Sequence, residues 1–151
     1  MKGLIVYYSY TGNTKYIANM LKESTGFDTL ELVPTITYPS DYDLLVQIEE
    51  EKMGSKECVP LKQDRFDLTL YETIVLLSPV WWYHIHGSLR TFMQNNDLTN
   101  KEVYAMATNG GWVGESENDF SEYVKLESFL DVPFNGNVCK LKKEEILNFI
   151  K

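Results

Sequence analysis

Apolar residues come in short continuous runs, and between the runs they recur at helical spacing. Residues 2–9, "KGLIVYYS", form the first run. A strand covered on both faces reads this way, as in a parallel sheet. Residues 14–25 follow with Ile17, Met20 and Leu21 on one helical face, and Gly26 is placed to stop that helix. Residues 27–33 predict a second strand, closed by Pro34. Residues 41–53 predict a helix with Leu44, Leu45 and Ile48 inward, capped by Asp41 or Asp43. The stretch 54–70 is polar and irregular. Residues 73–80, "TIVLLSPV", predict the third strand and 87–95 a helix with Leu89, Phe92 and Met93 apolar. Residues 102–108 predict the fourth strand and 116–129 a helix. Residues 132–141 predict a weaker fifth strand, interrupted at 135–137, and 143–151 a closing helix.

Five strands alternating with five helices imply an α/β, doubly wound three-layer sandwich with a five-stranded parallel sheet. Handedness rules leave few orders, among them 2-1-3-4-5. The 151 residues are read as one domain, 1–151, long enough to bury a core without disulfides. Cys58 and Cys139 are far apart and sit in no metal or redox motif.

A net charge of −8 argues against nucleic acid, which requires a basic footprint. An acidic surface steers toward partners with basic docking faces, and solubility accounts for the charge equally well. No apolar run approaches the roughly 20 residues of a membrane span. The first run ends in tyrosines and turn residues, so a cytoplasmic location is expected.

The unusual residues follow strands one, three and four. After strand one come Ser9, Tyr10, Thr11, Gly12, Asn13 and Thr14. One of these would suffice to cap a helix; the whole set at a helix N-terminus suits a phosphate monoester, which needs several donors. The glycine pattern of a Walker loop or of a dinucleotide fingerprint is absent. After strand three come Pro79, Val80, Trp81, Trp82, Tyr83 and His84, with His86 beyond. Adjacent tryptophans at a strand end suit a flat apolar ring, with one of the two expected to cover the neighbouring helix. His84 is expected to donate at the ring edge. The two histidines lack a third metal ligand in the sequence. After strand four come Thr108, Asn109, Gly110, Gly111, Trp112 and Gly114. In the order 2-1-3-4-5 these three loops share one edge of the sheet, where ligands bind.

At these residues the chain resembles the flavodoxins, and most of all the short bacterial flavodoxin-like proteins. "VYYSYTGNTKYIA" is similar to their phosphate loop, "PVWWYHIHGSLRTFM" to their aromatic loop with its Arg90-Thr91-Phe92 tail, and "ATNGGWVGES" to their glycine-rich loop. The resemblance implies a flavodoxin-like fold and bound FMN. Ser9, Thr11, Gly12, Asn13 and Thr14 would hold the phosphate. Pro79, Trp81, Trp82, Tyr83 and His84 would line one side of the isoalloxazine, and Thr108, Asn109, Gly110, Gly111 and Gly114 the other edge. It implies an electron carrier passing electrons between redox partner proteins. The alternatives are an FMN-dependent NAD(P)H:quinone-type oxidoreductase and a module that binds a phosphate ester without flavin. Four places depart from the family pattern: Tyr10 stands where arginine is usual, His86-Gly87-Ser88 stand in a region that is usually proline-rich, and Tyr83 and Asn109 also differ. Tyr83 stands where glycine is common, and a tyrosine resists positive φ. Asn109 replaces a histidine.

Overall fold

The computed structural model describes residues 2–50 and 57–150. β1 (Gly3–Tyr7) is followed by α1 (Asn13–Thr25), β2 (Asp28–Glu31) and α2 (Tyr42–Glu50). β3 (Thr73–Trp81), β4 (His84–Ile85), α3 (Gly87–Asn95) and β5 (Glu102–Asn109) come next. The chain closes with α4 (Ser116–Ser121), β6 (Ser128–Asn135), β7 (Val138–Cys139) and α5 (Lys143–Leu147). The strands lie in the order β2-β1-β3-β5-β6-β7, with β4 beside β3. β1 pairs in parallel with β2 and β3, and β5 with β3 and β6. Counted without the two short antiparallel strands, this is the expected 2-1-3-4-5.

Alternation along the central strands builds two cores. Leu4, Val6 and Tyr8 face one way with Ile74, Leu76, Leu89, Phe92 and Phe120. Ile5 and Tyr7 face the other way with Ile17, Leu21, Val75, Leu77 and Ile146. The period of two along a strand sorts the residues, and helices on both faces cover them. α1 stops at Gly26, which takes φ 74° and donates its N–H to the Lys22 carbonyl. Asp41 caps α2, its carboxylate accepting from the N–H groups of Asp43 and Leu44. Leu45 is buried, whereas Leu44 is exposed. Positions 51–53 of that expected helix, and the side chain of Ile48, lie outside the described residues.

Three boundaries differ most from the sequence reading. The helix expected over 116–129 ends at Ser121, and β6 begins at Ser128. Pairing decides this: Ser128 lies opposite Tyr104 and Phe129 opposite Ala105, so strand register overrides helical spacing. The interruption at 135–137 is a turn, after which β7 runs back along β6. The closing helix ends at Leu147, and Lys151 lies outside the described residues. The aromatic loop after β3 also has structure of its own. It folds back as a two-residue hairpin, with Trp81 opposite His84 and Val80 opposite Ile85.

Candidate functional site

The carboxyl ends of β1, β3 and β5 open into a cleft of about 660 Å³. That lies within the range of small-molecule sites, roughly 300–1,000 Å³. Tyr10, Thr11 and Asn13 line it from the first loop, Pro79 through Trp82 from the second, and Thr108, Asn109 and Gly110 from the third. Three segments far apart in the chain therefore meet at one rim. Two further walls carry no motif: Tyr42, Asp43, Leu45 and Val46 of α2, and Phe134 and Gly136 of the β6–β7 hairpin. The sequence signal for the α2 wall was Tyr42, an aromatic residue in the first turn of the helix expected over 41–53, and in the fold its ring is exposed.

The N-terminus of α1 is open. Its N-cap is Gly12 at φ 101°, and no side chain among the described residues caps the helix. A residue with a side chain is strained at that φ, which accounts for the glycine. The Ser9 hydroxyl accepts from the Gly12 N–H at 3.1 Å and so shapes the loop from within. The first N–H groups of the helix, at Asn13, Thr14 and Lys15, point outward with the positive end of the helix dipole. Asn13 donates one amide hydrogen to the Gly136 carbonyl, tying the loop to the far wall. Thr14 is not a free donor into the cleft as expected; its hydroxyl is buried against that of Thr108 at 2.7 Å. The loops thus supply Thr11, Asn13 and backbone N–H groups as donors, while Ser9, Gly12 and Thr14 set their shape.

The second loop divides its aromatic residues. Trp81 packs edge-on against Tyr8, Tyr10, Tyr38 and His86, with ring centroids 4.6–6.0 Å apart. One tryptophan was expected to cover the neighbouring helix; Trp81 instead joins this ring cluster while still bordering the cleft. Tyr10 donates its hydroxyl hydrogen to the Pro39 carbonyl. Trp82 and Tyr83 both adopt left-handed backbone, at φ 51° and 73°. Tyr83 was expected to resist that conformation, and it adopts it nonetheless. Its carbonyl accepts from the Glu115 N–H at 2.6 Å, and its ring stands out beside Trp112 with centroids 5.0 Å apart. Gly114, at φ 56°, lies so close beneath that a Cβ would overlap the Tyr83 carbonyl.

His84 does not serve the cleft edge as expected. Its Nδ1–H donates to the Asp119 carboxylate at 3.0 Å, beneath the hairpin. Asp119 has no exposed surface; it also accepts from the Ile85 N–H at 3.0 Å and pairs with the buried Arg90 at 2.8 Å. Burial works against the charge on Arg90, but Tyr123 and Asp119 outweigh it, and the net direction of its pKa is upward. Asn109 lines the cleft with its polar atoms committed. Its amide donates to the Ala107 carbonyl and to Asp131, and its carbonyl accepts from the Gly111 N–H.

His86 caps α3, Nδ1 accepting from the Ser88 N–H, so the ring hydrogen sits on Nε2 and is donated to the Tyr38 hydroxyl at 2.9 Å. The ring stacks on Tyr8 at 3.9 Å, and burial lowers its pKa to about 3. The unfolded chain, with an ordinary histidine near 6.5, binds the extra proton first as pH falls. Stability therefore rises with pH between about 3 and 6.5 and is lost on acidification through that window. Urea unfolding at stepped pH should show wild type losing about 1.4 kcal/mol per unit more than His86→Asn, which keeps a capping acceptor but cannot titrate. Equal slopes for the two proteins would contradict this.

A flavodoxin family model matches residues 2–126. Among solved structures, the chain is similar to a putative flavoprotein from Bacteroides uniformis, with 22% identity, 99% of this chain and 97% of that one covered, and a TM-score of 0.81. It is similar to a flavoprotein in complex with FMN from Lactobacillus acidophilus, with 24% identity, 86% and 92% covered, and a TM-score of 0.70. It is also similar to an oxidised flavodoxin 2 from Bacillus cereus, with 19% identity, 99% and 94% covered, and a TM-score of 0.57. No curated protein matches.

Proposed function

The chain belongs to the flavodoxin family, and from that premise we propose that it binds FMN in the cleft and passes electrons between redox partner proteins. The observation that carries the reading is the union, in one cleft, of an uncapped helix N-terminus and a wall of indole rings. A molecule that is anionic at one end and flat and apolar at the other fits both. The Lactobacillus acidophilus flavoprotein of the same fold holds FMN.

Thr11, Asn13 and the first N–H groups of α1 would receive the phosphate, with Gly12 allowing close approach. Trp81, Trp82, Pro79 and Val80 would cover the ring on one side, and backbone around Asn109 and Gly110 would border its edge. When bound, FMN supplies the electron-accepting and electron-donating chemistry. The protein's part is to hold the ring and exclude water with Trp82. Asp43 is the acidic side chain on the cleft wall.

Titration of apoprotein should separate FMN from riboflavin, which lacks the phosphate. Each hydrogen bond to a charged group contributes about 1.5–3 kcal/mol. FMN should therefore bind at least about 100-fold more tightly. Equal affinities would overturn the phosphate role of α1, and absence of FMN binding would overturn the whole reading.

A chain of this acidity suits partners with basic docking faces. Electron transfer to a reductase should slow several-fold between low and physiological salt in stopped-flow measurements, because screening shortens the reach of steering. A rate indifferent to salt would count against the carrier reading. Steady NAD(P)H consumption with a quinone by the isolated protein would favour the oxidoreductase instead.

A further inference from the structure

Two-residue hairpin turns with both central residues left-handed are normally made by Asn-Gly or Gly-Gly. Here they are Trp82 and Tyr83, neither of which favours positive φ. Something outside the turn must hold it. Among the described residues, the hydrogen bonds that do so come from one short stretch, residues 115–119. The Glu115 N–H holds the Tyr83 carbonyl, and the Asp119 carboxylate accepts from both His84 and the Ile85 N–H. Asp119 is itself fixed twice. Its N–H donates to the Glu115 carbonyl at 2.9 Å, and Arg90 of α3 grips its carboxylate.

We propose that Asp119 is a positioning residue for the cofactor site, holding the Trp82–Tyr83 turn in its left-handed form so that Trp82 stays on the cleft wall. The inference rests on the FMN reading for its consequence, though not for its geometry. An unpaired acid here would carry a burial cost with no return; bonded to the hairpin, it turns an unfavourable turn into the stable one. Groups that pack around a site and fix its lining in this way commonly decide how well the site works.

Asp119→Asn and two His84 variants test it. His84→Asn retains a side-chain donor toward Asp119, whereas His84→Phe does not, and both leave the Arg90–Asp119 pair whole. In wild-type apoprotein, Trp82 and Tyr83 should each give the strong intraresidue HN–Hα NOE of positive φ. Asp119→Asn should weaken both signals and raise the Kd for FMN by at least about tenfold. His84→Asn should stay near wild type, and His84→Phe should fall between the two. Asp119→Asn with both signals intact, or with FMN affinity within twofold of wild type, would overturn the proposal. If Asp119→Asn does not fold, the His84 pair decides: the proposal falls if His84→Phe and His84→Asn behave alike. Should wild type fail to bind FMN, the functional reading fails, while the NOE comparison still judges the positioning role.

Discussion

Arg90→Ala should lower the unfolding free energy by about 3–5 kcal/mol, the cost of leaving a buried charge without its partner. Arg90 is 1% exposed and Asp119 wholly buried, so water cannot replace the lost guanidinium. Part of the loss is a cation–π contact, since the Arg90 guanidinium also lies 6.0 Å from the centre of the Tyr123 ring. For a chain of this size such a loss corresponds to a fall in Tm of about 6–20 °C. Thermal and urea unfolding would measure it. A fall of less than about 1 kcal/mol would mean that the ion pair has no structural role. The pair need not stabilise the fold relative to an apolar replacement, because charges lose solvation on burial. Arg90 pairs with Asp119 Oδ1 while the Ile85 N–H bonds Oδ2, so the two together set how the carboxylate faces.

The second large effect belongs to Gly114→Val. Left-handed backbone disfavours a side chain by about 1–2 kcal/mol, and more for a branched one. Overpacking adds about 1–3 kcal/mol. The obstacle here is the Tyr83 backbone, not the end of a flexible side chain, so relief requires moving one of the two loops. Stability should fall by about 2–5 kcal/mol, with FMN binding weakened in step. Gly110→Ala is the matched control: a Cβ there meets nothing within 4 Å, and stability should stay within about 0.5 kcal/mol. If both variants behave alike, the close approach of the two loops is not what constrains Gly114.

The strands of the sheet were readable because the residues that form them serve one purpose. Ile5, Val6, Val75 and Leu76 are apolar on both faces, and only a covered parallel strand needs that. The stretch 116–129 misled because Phe120, Tyr123, Val124, Leu126 and Phe129 all pack against one core although only the first lies in a helix. A chain that leaves a short helix and enters a strand over the same core keeps apolar residues at spacings a longer helix would also show. Within the site, the loops were legible from their residue types, but the direction of each side chain was not. His84 and Thr14 have the chemistry of ligand donors and bond within the protein instead. Asp119 was invisible for the opposite reason. An acid in the first turn of a helix reads as a solvated, dipole-matched surface residue, and only the fold places three donors around it.

The Thr14–Thr108 contact has a consequence in hydrogen arithmetic. Two hydroxyls bring two hydrogens to a single bond, so whichever oxygen accepts has its own hydrogen left over. That spare hydrogen can rotate about a C–O bond while no heavy atom moves. The junction between the first and third loops thus contains a small rotor, able to turn its polarity toward whichever neighbour is richer in electrons.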